Sequence, residues 1–423
     1  MSVIADDFIR AASVALDGSW HSTGMLEHAR EILAREPSVA SESIYTAAVL
    51  GNDSAVRQFI QTDPPNATRK GGPYGWDALT YLCFSKYLRI DAGRSAGFVS
   101  AATMLIDAGA DPNTGFYSDE HLPEPVWESV LYGAAGVAHN DGMTQLLIDR
   151  GADPNDGETE YHAPEWFNNR PMEIIVESGK LAPMGLTTML HRKLDWTNYA
   201  GVRWLLNHGA DPNMVSMWGS RALDHSIGRD NKVEFIELLL DFGANPLLAT
   251  TDGMNAFTRA AASGRVDIIE RFRKRGFTYE MNGAFALLEA CARGNVGAAR
   301  ELSDADPEMI PEIRSMYPGL LANFAGSGNT NGVRALLDLG FDIESRSTHP
   351  GWNGMSALHL AIWRDRLDTV KLLVDRGALL ASVDGEDAVG VARRAQVEES
   401  EWTPHETSRI LDYLAGISEP ARG

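Results

Sequence analysis

Cysteine is nearly absent: Cys83 and Cys291 are the two thiols in 423 residues, too few and too far apart for a disulfide framework. A reducing compartment is therefore expected. Positive charge is also scarce, with 37 Lys and Arg against 58 Asp and Glu and a formal net charge of -21. Nucleic acid and anionic membrane both need a net attractive field, so neither is expected as a partner, and a basic one is electrostatically easier. Nowhere do about 18 apolar residues run together without charge, so no membrane-spanning helix is expected. Asp6 and Asp7 stand where a secretory leader needs positive charge, which makes a cytoplasmic location the expectation. No Cys-x-x-Cys pair and no His-Glu-x-x-His string offers zinc spacing.

What is present is repetition. Apolar residues make up 44% and charged residues 22%, an ordinary globular composition. The string Gly-Ala-Asp-Pro-Asn begins at Gly109, Gly151 and Gly209, with a near copy at Gly243 and degenerate forms at Gly276, Gly340 and Gly377. Successive glycines are 42, 58, 34, 33, 64 and 37 residues apart. The longest steps are close to double a unit of about 33, which marks a repeat array.

The string has a mechanical meaning. An amphipathic run such as Val202-Arg203-Trp204-Leu205-Leu206 precedes each glycine, and glycine after such a run predicts a left-handed helix cap. Asp-Pro-Asn cannot continue the helix, because proline lacks the amide donor. A second, shorter helix is predicted upstream: His191, Thr258 and His359 each stand 18 residues before a capping glycine. The unit is then turn, short helix, tight turn, longer helix, glycine stop. Ordering about 33 residues costs at least ~33 kcal/mol of backbone entropy. Six or so large apolar side chains return only ~1.5–3 kcal/mol each. No unit can stand alone, and neighbours must stack.

On these residues the chain resembles the ankyrin-repeat family, in a bacterial-type form with many Gly-Ala-Asp-Pro-Asn copies; Ser356 to Ala378 gives the fullest match. The resemblance implies an all-α solenoid of about 11–12 stacked helix-turn-helix units with short hairpin fingers. Residues 1–40 are expected to form an N-terminal capping helix pair, 41–383 the array, and 384–423 a C-terminal capping repeat and tail. His191 and His359 hold the family's signature position, where a structural hydrogen bond is implied. Cys83 and Cys291 fall in small-residue slots and are expected in the core.

The family's fingers and first helices line a binding face, and Tyr74-Gly75-Trp76, Met217-Trp218-Gly219 and Gly351-Trp352-Asn353 fall in finger segments. Exposed Trp is costly and favoured at interfaces, so Tyr74, Trp76, Trp218 and Trp352 are candidate partner contacts; covering a neighbouring finger is the alternative role. The insertion from Phe84 to Phe98 adds Lys86, Arg89 and Arg94, which either grip an acidic partner or satisfy nearby carboxylates. Two polar loops, Asp119-Glu120-His121 with Glu124 and Glu158 to His162 with Glu165, hold metal-ligand types without fixed spacing. No catalytic residue, metal or cofactor is assigned. The expected function is a non-catalytic, monomeric scaffold for a protein partner of unknown identity. The alternatives are an acidic inhibitor acting by charge mimicry and a metal-dependent enzyme built around His121 and His162.

Overall fold

The computed structural model describes residues 1–14, 26–119, 124–348, 353–380, 387–398 and 408–418. It divides into two units, Met1–Met217 and Trp218–Gly423. Both are built from helix pairs, an inner helix followed by an outer one.

In the first unit the pairs are Val3–Ala12 with Glu27–Arg35, Ile44–Val49 with Asp53–Thr62, and Ala78–Cys83 with Ser95–Asp107. Three more follow: Val130–Tyr132, continued by a π-helical turn over Gly133–Val137, with Asp141–Asp149; Glu158–His162 with Arg170–Glu177; and Pro183–Asp195 with Tyr199–Asn207. The insertion forms a short helix, Lys86–Ile90, and a 3-10 turn, Ala92–Arg94. In the second unit the pairs are Ala222–Gly228 with Val233–Asp241, Ala256–Ala262 with Val266–Lys274, and Ala284–Ala292 with Val296–Ala305. Leu320–Gly326 with Thr330–Asp338, Ala357–Trp363 with Leu367–Asp375, and Ala388–Glu398 with Ser408–Ser418 complete the pairs, and one further helix, Met309–Met316, precedes Leu320–Gly326.

Local chemistry sets the helix ends. Inner helices start on side-chain caps: Ser43, Asp77, Asn255 and Ser356 accept from the backbone amides of Thr46, Thr80, Thr258 and His359. Several outer helices start on asparagine, with Asn52, Asn140, Asn198, Asn295 and Asn329 in that role. Each predicted stop is real: Gly109, Gly151, Gly209, Gly243, Gly276, Gly340 and Gly377 all have φ between +80° and +102°. In each case the next amide donates five residues back, as Ala110 does to Leu105 O at 2.9 Å and Ala378 to Leu373 O at 2.9 Å.

The finger segments are mostly turns. One forms a ladder, Gly115–Ser118 antiparallel to Val126–Ser129; elsewhere among the described residues Gly71 bridges Trp76 and Arg346 bridges Ser356. The short run between a glycine stop and the next inner helix leaves little length for paired strands.

Within the second unit the stack turns back on itself. Arg366 Nη2 meets Asp230 Oδ2 at 2.7 Å, although three repeats lie between them in sequence. Helix axes pack about 8–10 Å apart, so a straight stack would hold these groups several tens of ångströms apart. In four of the five pairs of this stretch the inner helix has 7 residues and the outer 9. Buried Ala260, Ala261, Ala322, Ala325 and Ala361 let the inner layer approach more closely than the outer one.

Candidate functional site

The predicted contact residues fall in both units, and those of the first unit are engaged within the chain. Trp76 is buried at 5% exposure, stacked on Phe116 with ring centroids 4.2 Å apart. Tyr74 packs 4.8 Å from Trp76 and lies under the Arg10 guanidinium. Lys86 Nζ donates to Ala11 O at 3.1 Å, tying the insertion to the first helix. Arg89 donates to Val137 O at 3.2 Å and covers the Trp166 ring. Arg94 pairs with Asp91 at 3.1 Å and donates to Leu50 O. All of these lie in the first unit, whereas Trp218, 47% exposed, belongs to the second. Trp352 lies outside the described residues.

The thiols are core groups. Cys83 and Cys291 are buried, and burial raises the Cys83 pKa steeply and that of Cys291 to about 12. His191 and His359 are buried as well, with Nδ1 of His191 against Thr187 O at 2.8 Å and Nδ1 of His359 against Ser356 Oγ at 2.8 Å. In His359 the imidazole braces the helix cap.

One polar cluster of the first unit comes from the second candidate metal loop. His162 sits between Glu158 and Glu165, each 3.2 Å from a ring nitrogen. Burial disfavours the imidazolium, but hydrogen bonds to the two carboxylates outweigh it and raise the pKa to about 9. Arg192 completes the set, bonded to Glu165 and, at 2.7 Å, to Asp195, with its guanidinium 4.1 Å from the Tyr161 ring centroid. The neighbouring Lys193 is fully buried, donates to Trp166 O at 2.9 Å, and has its pKa lowered to about 7 by burial. A histidine locked as an imidazolium is a poor general base and a poor metal ligand near neutral pH. Among the described residues, no three His, Cys, Asp or Glu side chains are placed to hold a metal ion. The other loop's His121 and Glu120 lie outside the described residues, and Asp119 and Glu124 border that gap.

Sequence reasoning did not single out the hollow of the second unit. A cavity of about 190 Å³ lies inside the curl, bounded by the Ala222–Gly228, Ala256–Ala262, Leu320–Gly326 and Ala357–Trp363 inner helices. Its lining follows a rule. Counting each inner helix from its first residue, the fourth position supplies Arg259, Asn323 and Leu360, and the seventh supplies Gly228, Ala262 and Gly326. The eighth supplies Ser263, Ser327 and Arg364. Positions four, seven and eight share one face of a helix. Ile227, Asp230, Met254 and Tyr317, the last directly after the Met309–Met316 helix, close the rest. The sequence signal was variation at these three positions, where small, polar and cationic residues alternate between units.

Arginine is fixed around this hollow. Arg259 pairs with Asp224 at 3.2 Å and Asp252 at 2.8 Å. Asp230 is held by Arg265 at 2.8 Å and by Arg366, and Arg366 Nε also donates to Gly326 O at 3.0 Å. Arg364 reaches Arg229 O at 3.4 Å. Asp230 itself has φ +56°, a conformation that Asp tolerates better than most residues.

A family model described as ankyrin repeats, in 3 copies, matches residues 287–384. The chain carries ankyrin repeats. A stretch of 170 residues, 39% of the chain, is 28% identical to the human BCL-6 corepressor-like protein 1, of which it spans 9%. The crystal structure of the human ASB11 ankyrin repeat domain overlaps 55% of this chain and 98% of its own, at 18% identity and a TM-score of 0.24. Ankyrin repeats are generally protein–protein interaction modules, and the fold is typically non-catalytic. No helix among the described residues is long and apolar enough to cross a membrane.

Proposed function

We propose that this ankyrin-repeat chain is a non-catalytic scaffold that binds a protein partner through its finger turns and inner helices. The observation that carries the reading is the exposed apolar edge of two adjacent turns in the second unit. Trp218 is 47% exposed, Leu247 41% and Leu248 36%. The turns that carry them touch, because Arg221 Nη1 donates to Ala249 O at 2.5 Å and a Cβ on Gly219 would meet Thr251 Oγ1. Large apolar side chains held in water on a rigid frame mark contact surfaces, and Trp is the commonest anchor. Of the residues singled out by sequence, Trp218 carries the proposal.

Affinity capture from the native cell with quantitative mass spectrometry tests it, comparing the full chain with Trp218→Ala and with Leu247→Ser/Leu248→Ser. The expected outcome is one partner set depleted at least tenfold by either variant while thermal melting is unchanged. A partner set retained in full by both variants overturns the assignment of this edge.

A further inference from the structure

We infer that the inter-helix turns of the first unit, around Arg89, Trp166, Phe167 and Tyr199, form a second docking surface, for an acidic protein segment that carries an aromatic or leucine side chain beside its carboxylate. This goes beyond the scaffold reading, which places its contacts on finger turns, at the other end of the inner helices. Three observations converge.

The first is backbone strain. Between inner and outer helices the chain makes a tight turn through the left-handed region. The second unit fills that position with Asp230, Gly264, Gly294, Gly328 and Asp365, residue types that tolerate it. The first unit instead places Trp166 there at φ +68° and Thr197 at +46°. A bulky or β-branched residue is a true outlier in this region, and such strain collects at binding sites. Trp166 is held firmly: its ring stacks on Trp196 at 5.9 Å, and its carbonyl accepts from Lys193 Nζ at 2.9 Å. Asn198 Nδ2 donates to Asn169 Oδ1 at 3.0 Å, which ties the two turns together.

The second is charge. Arg89, from the insertion, lies over the Trp166 ring with its guanidinium 5.0 Å from the centroid and donates to Val137 O. Among the described residues no carboxylate pairs with it; burial lowers its pKa and no nearby carboxylate counters that. The surrounding carboxylates are committed elsewhere. Glu165 and Asp195 bind Arg192, Asp91 binds Arg94, Glu173 binds Arg170, and Asp141 accepts from Asn168. The edge therefore presents one cation without a counter-charge, on a planar fork suited to a carboxylate.

The third is exposed apolar surface beside that cation. Phe167, next to Trp166, is 52% exposed, and Tyr199, which follows the Trp196–Asn198 turn, is 40% exposed. Trp, Tyr and Arg are the residue types that most often anchor interfaces. A wholly apolar occupant would bury the guanidinium without a partner, and a basic one would meet it with like charge. An acidic segment with one aromatic or leucine side chain satisfies both features.

The test uses the full chain and three pools of dodecapeptides, each with one Phe among Gly, Ser and Ala and flanked by two Glu, two Gln or two Lys. Binding is read by fluorescence anisotropy. The Glu pool is expected to bind at least tenfold more tightly than the Gln pool, with the Lys pool unbound at about 1 mM. A tenfold loss is expected in Arg89→Gln and in Phe167→Ser/Tyr199→Ser; if Arg89→Gln lowers the melting temperature, the double variant decides. Trp218→Ala is expected to leave this binding unchanged, so failure of the finger edge and failure of this surface are told apart. Equal binding of the Glu and Gln pools overturns the inference, as do preference for Lys, absence of binding by every pool, and retention by the double variant. Tighter binding of a twelve-residue oligothymidylate than of the Glu pool overturns it too, by making the occupant a nucleic acid.

Discussion

The two units repeat one helix pair yet fill the space between repeats differently. The first uses aromatic bulk: Trp76, Tyr81, Phe84, Phe116 and Tyr132 form a chain of ring contacts, and Phe84 lies 5.0 Å from Phe116 and 5.9 Å from Tyr132 between centroids. The second uses alanine inside and guanidinium–carboxylate pairs across repeats, centred on Asp230. Large side chains hold neighbours by contact area and act only over one step. Small side chains bring backbones together, so that charged groups from distant repeats meet. The same consensus therefore supports two kinds of interior.

The largest expected effect tests the aromatic interior. Phe84→Ala removes a fully buried ring and leaves a cavity, at a cost of about 3–5 kcal/mol in chemical denaturation. A loss below about 1 kcal/mol would show that the rings are not what joins the first repeats. Next is the ionic interior. Asp230→Asn keeps a side chain suited to the left-handed turn but removes the charge that two arginines share. A loss of about 1–2 kcal/mol is expected, because Arg265 keeps its pair with Asp267 and Arg366 is partly in solvent, and it should shrink in Asp230→Asn/Arg366→Leu.

Two cations of the first unit, Lys193 and His162, sharpen the contrast by titrating in opposite senses. Folding lowers the Lys193 pKa from 10.5 to about 7, so the unfolded chain binds more protons between those values and stability rises with pH across that window. The gap between wild type and Lys193→Met should shift in favour of wild type by on the order of 4 kcal/mol from pH 7 to pH 10. Folding raises the His162 pKa from 6.5 to about 9, so its contribution is complete below pH 6.5 and is lost as pH climbs through 9. The gap between wild type and His162→Gln should close by on the order of 3 kcal/mol over that range. Parallel slopes in the two difference curves would contradict the geometry. The smallest effect is at Trp218, where replacement by Ala should move stability by no more than about 0.5 kcal/mol in the same denaturation assay, because much of the ring is in solvent.

Much of the frame was legible in the sequence because its rules are local. Gly209 stops a helix through its own φ and the Ala210 amide, both fixed within six residues. The cores around Cys83 and Cys291 followed from register. The candidate site was less legible because it depends on curvature. Nothing near Asp230 in sequence announces Arg366, and Arg364 became a lining residue only when the inner helices closed around the hollow. The basic insertion shows the same limit: Lys86, Arg89 and Arg94 read as a grip on an acidic partner or as partners of nearby carboxylates, and each reaches a backbone carbonyl of another element. Sequence period identifies which residues face the next repeat; it does not say how far the array bends.

The clasp between Asp230 and Arg366 changes how the second unit can come apart. An ordinary repeat array is held by nearest neighbours, so it frays from its ends one step at a time. Here, peeling away the Ala357–Trp363 repeat also breaks a bond to the Ala222–Gly228 repeat, and opening either one loosens both. Strain applied at one end is thus shared with the other, and the intervening helices melt as a single cooperative body rather than as beads from a string.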